Sequence, residues 1–142
     1  MNLSQRVKIA NVLAAQAVGT ASEASGLIDM QGYEGVVGIL SVGAITDGAT
    51  SIKAQGGNLP DGSDLADLAG TNTPVISGQA AVLDVYRTLF RYVKFVAVRG
   101  GSTGAIIDGI VAIQYFGDVQ PPPQDASVTT VNLVVSPVAG AA

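Results

Sequence analysis

Tyr33-Glu34-Gly35-Val36-Val37-Gly38-Ile39-Leu40-Ser41-Val42-Gly43 decides the fold class. At a period of two, Val37, Ile39 and Ser41 face one way, and Val36, Gly38, Leu40 and Val42 face the other. Branched residues at this density suit a pleated strand. The nearly unbroken apolar run implies burial on both faces, as at the centre of a sandwich or at an interface. Thr46-Asp47-Gly48 follows as a tight-turn signal, because Asp-Gly supplies the positive φ angles that a hairpin needs. A strand over Thr50 to Gln55 comes next.

Outward from this centre, further strands are expected over Ala80 to Tyr86, Arg91 to Arg99 and Ala105 to Phe116. Gly100-Gly101-Ser102-Thr103-Gly104 between the last two has the composition of a hairpin loop. Gly56 to Pro74 is a long connection, with a helical turn expected around Asp64 to Leu68. Upstream, Ser25 to Met30 reads as a short strand turned by Gln31-Gly32. Val7 to Val18 fits period two through Val7, Ile9, Leu13, Ala15 and Ala17, and a helical spacing about as well; strand is preferred. Eight or so short strands with Gly turns indicate an all-β chain, a β-sandwich or jelly-roll-like domain. That domain is placed over residues 1–120. An extended C-terminal arm over 121–142 opens with the stiff Pro121-Pro122-Pro123 spacer. Ser127 to Val135 alternates like a strand, so the arm either adds to a neighbouring subunit or packs back on its own domain.

Charged residues make up only 13% of the chain, against about 25% in typical soluble proteins. With 48% hydrophobic residues, little material is left for a fully solvated surface, so part of it is expected to be covered by other copies or a larger assembly. The net charge of -4 argues against a nucleic-acid partner. No stretch approaches the roughly 18 apolar residues of a membrane-spanning helix, so no membrane partner is expected. The N-terminus lacks the layout of a secretory signal, which leads to the expectation of synthesis in the cytoplasm.

The chemical inventory points away from an enzyme, so no catalytic residue, metal site or cofactor is assigned. The chain has no His and no Cys, which removes Ser-His-Asp and Cys-His arrangements and sites that depend on those ligands. Gly100 to Gly104 superficially resembles an anion cradle but sits between strands, not before a helix. Asp61, Asp64 and Asp67 offer oxygen ligands at a spacing that matches no Ca²⁺ loop, and a solvated acidic loop is preferred. Arg87, Arg91, Lys94 and Arg99 place four of the seven basic residues within thirteen positions. On a strand Arg91 and Arg99 point one way and Lys94 the other, so they make no single stripe. They are the candidate electrostatic footing on an acidic partner, or else edge protection against stray pairing. Val128, Val131, Leu133 and Val135 are the candidate intersubunit residues of the arm.

Asp29-Met30-Gln31-Gly32-Tyr33-Glu34-Gly35-Val36-Val37 and Gly43-Ala44-Ile45-Thr46-Asp47-Gly48 resemble a family of small tailed-bacteriophage virion proteins, the capsid cement or decoration proteins. Asp84-Val85-Tyr86-Arg87, Arg91-Tyr92-Val93 and Gly109-Ile110-Val111-Ala112-Ile113-Gln114-Tyr115 continue the resemblance, which spans roughly residues 25–117. It implies a β-sandwich subunit on the capsid exterior, often a trimer near three-fold positions, that bridges capsomers and contributes no catalytic residues. The implied partners are the major capsid protein and further copies of the chain, and the implied location is the virion. A head–tail connector or tail-tube component, which would form rings, is the first alternative. A surface- or carbohydrate-binding sandwich module is the second. Tyr33, Tyr86, Tyr92 and Tyr115 lie mainly within strands, which suits a core or interface better than a sugar platform.

Overall fold

The computed structural model of the chain describes residues 2–135 and 139–140. Among these, the strands form two antiparallel sheets packed face to face. A 3-10 turn at Leu3–Gln5 leads into β1 (Lys8–Leu13) and β2 (Gln16–Gly19). Short strands β3 (Glu23–Ala24) and β4 (Ile28–Asp29) precede the long β5 (Gly35–Ile45) and β6 (Thr50–Gly57). After β7 (Ala66–Asp67) and β8 (Thr73–Val75) come β9 (Ala80–Tyr86), β10 (Tyr92–Val98) and β11 (Ala105–Tyr115). Sheet A has the order β1-β11-β5-β9, with β2 also on β11. Sheet B is built on β10 and β6, with β3 and β4 along β10 and β7 and β8 along β6.

Alternation decides what each strand buries. Val36, Leu40 and Val42 of β5, Leu83 and Val85 of β9, and Ile107 and Ile110 of β11 point inward from sheet A. Ile52 and Ala54 of β6 meet them with Val93, Phe95 and Ala97 of β10 from sheet B. Phe95 is fully buried. Its ring lies over Gly38, where an added Cβ would come within 2.7 Å of it. Glycine at this position thus makes room for the largest core side chain. Gln114 also points inward, and its Nε2 donates to the carbonyl of Asp29 at 2.8 Å, so its buried amide is partnered across the sheets.

The all-β sandwich is present, and the Val7 to Val18 segment is β1 and β2. Four local expectations are corrected. Thr46-Asp47-Gly48 and Gly100 to Gly104 do not close hairpins: each carries the chain from one sheet to the other, β5 to β6 and β10 to β11. Asp64 to Leu68 holds no helical turn; β7 and β8 lie along the edge of β6, whose backbone needs partners there. Ser25 to Met30 is strand only at Ile28–Asp29, the part that reaches β10.

Candidate functional site

The two outer faces of the sandwich differ in chemistry. On sheet B, Lys53 pairs with Asp67 at 2.8 Å, Gln55 donates to the same carboxylate, and Lys94 stands half-buried on β10 opposite Gln55. The outer face of sheet A is largely apolar. Adjacent positions across its strands hold Ile9, Ile113 and Val37, then Val111, Ile39 and Val82. Val82 is 60% exposed and Val111 38%. The long apolar run of β5 therefore serves two surfaces, one turned to the core and one turned out.

Near the Tyr86 end this face opens into a groove of about 850 Å³, floored by Val37, Ile113 and Tyr115 and walled by Leu3, Val7, Tyr86 and Phe116. Tyr86 and Tyr115 stack with centroids 6.3 Å apart, and Phe116 meets Tyr115 edge-on at 5.3 Å. Gly35 lies between the two tyrosines in register, and a Cβ there would collide with the Tyr115 ring. The Tyr115 hydroxyl donates to Asp84 at 2.5 Å. Burial, then the hydrogen bond and negative charge of Asp84, hold its phenol above the ordinary tyrosine range, so it stays protonated as a donor. The Arg87 guanidinium lies 5.1 Å from the centroid of the Tyr86 ring.

The predicted basic footing is not one patch. Arg99 falls on the inward parity of β10, after Val93, Phe95 and Ala97, and its side chain is 4% exposed. Its guanidinium donates to the carbonyls of Ala17, Ala21 and Ala105, each at 2.8 Å, and to Glu23 at 3.3 Å. It is an internal clamp that joins the β10–β11 crossover to the β2–β3 segment, and it cannot meet a partner. Arg91 lies just outside β10 and holds Asp29 through Nε and Nη2 at 3.2 and 3.1 Å. That bond keeps the Asp29 carboxyl below its ordinary range. Arg87 is exposed beside sheet A, while Lys94 belongs to the face of sheet B.

The Gly100 to Gly104 cradle is filled by the chain itself. Asp47 accepts hydrogen bonds from the N–H groups of Ser102 at 2.8 Å, Thr103 at 2.9 Å and Gly104 at 2.6 Å. These donors, Gly104 foremost, lower its pKa to about 2. Asp61, Asp64 and Asp67 do not converge. Asp61 bonds Ser63, Asp64 bonds the N–H groups of Asn58 and Leu59, and Asp67 bonds Lys53 and Gln55. Among the described residues no three acidic groups gather as for a metal.

Residues 136–138 and 141–142 of the arm lie outside the described residues, and the part before them divides in two. Gln124 accepts from the Ile9 N–H at 2.8 Å and donates to the carbonyls of Val7 and Ser4, while Ser127 accepts from the Asn11 N–H at 2.9 Å. The root of the arm thus packs back on its own domain and occupies the outer edge of β1. Beyond it Val128 is half-buried, whereas Val131, Leu133 and Val135 are 45%, 41% and 76% exposed and form no strand.

The apolar outer face of sheet A is a surface feature that residue-by-residue reading missed. Its one signal was the alternative of an interface for the apolar run of β5. Tyr33 packs half-buried against the core, Tyr92 and Tyr115 are half-buried, and Tyr86 is exposed.

Fold and surface together define an antiparallel β-sandwich protein with one apolar outer face. No family model matches the chain, and no curated protein does. Comparison with solved structures finds a chain from Bacillus endospore appendages, described as a novel family of disulfide-linked pili. It is 16% identical over 81% of this chain and 92% of that one, with a TM-score of 0.48. This chain has no cysteine with which to form such a linkage.

Proposed function

We propose that this chain is a non-enzymatic structural subunit, a cement protein that binds the outside of a tailed-phage capsid and meets the shell with the outer face of sheet A. The observation that carries this is the contiguous apolar surface on β11, β5 and β9, the outer side of a sheet whose inner side already builds the core. A solvent-facing sheet ordinarily alternates polar residues there, and an apolar patch of this kind marks a contact surface. The segments that resemble cement proteins fall largely on the same strands, with Gly35 to Val37 on β5, Asp84 to Tyr86 on β9 and Gly109 to Tyr115 on β11. Repetition on a symmetric shell turns weak individual contacts into firm retention.

The test is co-sedimentation with empty shells of the cognate major capsid protein. Val37→Asp with Val111→Lys should lower occupancy at least tenfold, whereas Arg91→Glu with Lys94→Glu should change it less than threefold. Equal retention of all variants would remove sheet A as the footing. Strong loss only with the basic pair would return the footing to the charged side.

The exposed cluster of Tyr86, Tyr115 and Phe116 beside Asp84, Glu34 and Arg87 favours a second reading, a carbohydrate-binding module. Aromatic faces flanked by hydrogen-bonding groups suit sugar rings. Retention on a glycan array that is lost in Tyr86→Ala, with no shell binding, would select it.

A further inference from the structure

We propose that residues 131–135 of one copy pair as an added strand along the open edge of β9 in a second copy. This deepens the structural-subunit reading by naming a self-contact, and it rests on that reading only in requiring that copies meet.

Consider first the edge. Sheet A ends in β1 on one side and β9 on the other. The N–H groups of Ile9 and Asn11 on β1 are taken by Gln124 and Ser127. Among the described residues β9 pairs with β5 alone. Arg87 donates to the Glu34 carbonyl and Val42 to the Gln79 carbonyl, and with the antiparallel register this turns the odd-numbered residues of β9 toward β5. The N–H and C=O groups of Val82, Asp84 and Tyr86 therefore face away from the sheet. Edges are commonly protected by Lys, Pro or a bulge. β9 has no Lys or Pro and keeps continuous register with β5, and its single charge, Asp84, is held on the outer face by Tyr115. A regular, open edge of this kind is a template for another strand.

Now the strand. No charged residue follows Asp125, and Val131, Leu133 and Val135 alternate with Asn132 and Val134. Among the described residues this segment has no partner strand, and its apolar side chains are exposed. Added to β9 with Val131, Leu133 and Val135 turned inward, it would cover the margin of the core beside Leu83 and Val85.

Reach decides whose edge it is. Ser127 sits outside β1, and the vacant position lies outside β9, about five interstrand spacings or roughly 24 Å away. Only residues 128–130 separate Ser127 from Val131, and a fully extended chain covers about 14 Å over those four steps. The arm cannot reach its own β9, so the acceptor is another molecule. Such a donor-to-acceptor contact is heterologous, closing into a ring when its rotation permits and otherwise extending as a filament.

The experiment uses the full chain in solution without shells, so its failure is separate from failure of capsid binding. Native protein and the Val131→Asp, Leu133→Asp double variant, whose substitutions lie outside the core, are compared by light scattering and by amide hydrogen exchange. The native chain should be oligomeric and the variant monomeric. The Val82, Asp84 and Tyr86 amides should exchange at least tenfold more slowly in the native assembly than in the variant. A monomeric native chain, an assembled variant, or equal exchange at those three amides would each overturn the proposal.

Discussion

Replacing Arg99 with Met should destabilise the sandwich by about 3–5 kcal/mol, the cost of leaving several buried carbonyls without their donor. The methionine keeps the unbranched stem and removes the guanidinium, so packing changes little and the loss is electrostatic. Three backbone carbonyls, of Ala17, Ala21 and Ala105, lose a donor at 2.8 Å together. A buried polar group left unsatisfied costs about 1–3 kcal/mol, and water reaching the more open carbonyls offsets part of the total. Glu23 adds little, because its side chain is 35% exposed and screened. For 142 residues the loss corresponds to a fall in Tm of about 10–17 °C. Urea unfolding followed by circular dichroism gives the free energy, and Glu23→Gln is the informative control. It removes the carboxylate charge and leaves the carbonyls satisfied, so it should cost less than about 1 kcal/mol. An Arg99→Met protein within about 1 kcal/mol of native would refute the clamp, since three buried carbonyls left unsatisfied together cost more than that. Equal losses in the two variants would mean that the ion pair, not the carbonyls, holds this end of the molecule.

Gly38→Val should cost about 1–3 kcal/mol by overpacking, because even its Cβ falls 2.7 Å from a Phe95 ring that has no free space to move into. Calorimetry should show Tm lower by about 3–10 °C. Asp47 supplies a pH-dependent contribution of known sign. Its folded pKa of about 2 lies below the ordinary 3.8, so the stabilisation is present above the unfolded value and is lost as pH falls through the folded one. Urea midpoints measured from pH 5 to pH 2 should therefore decline less steeply in Asp47→Asn than in the native chain, and parallel profiles would contradict the assignment.

The chain announces its strands through local signals. Ala80 to Tyr86 is strand to the residue, and β5, β6, β10 and β11 lie within two residues of their expected ends. Alternation of Val, Ile and Leu and the placing of Gly and Asp are properties of neighbouring residues, which a linear reading can see. Parity was legible too: Val93, Phe95, Ala97 and Arg99 share one face of a strand, and the three apolar members already implied that this face is buried. What the parity could not supply was the set of carbonyls that accepts the Arg99 guanidinium, contributed by residues 78 and 82 positions earlier and 6 later.

Sequence alone pointed to an all-β sandwich or jelly-roll-like domain of short strands in a chain without His or Cys, and to a β5 run buried on both faces. Tertiary structure decided which sheet each strand joins, because an Asp-Gly turn permits either a hairpin or a crossover and only packing of the two inner faces selects between them. It decided that β3, β4, β7 and β8 are strands at all, since segments so short exist only where β10 or β6 offers a backbone edge. It also decided the sites. The basic cluster scattered because only Lys94 lies within a strand, while Arg87 follows β9, Arg91 precedes β10 and Arg99 turns inward after it. Residues far apart in sequence gathered into the apolar face of sheet A. Strand periodicity is encoded within a few residues, but register and sheet assignment are set by the free energy of burying both inner faces together, which no short window contains.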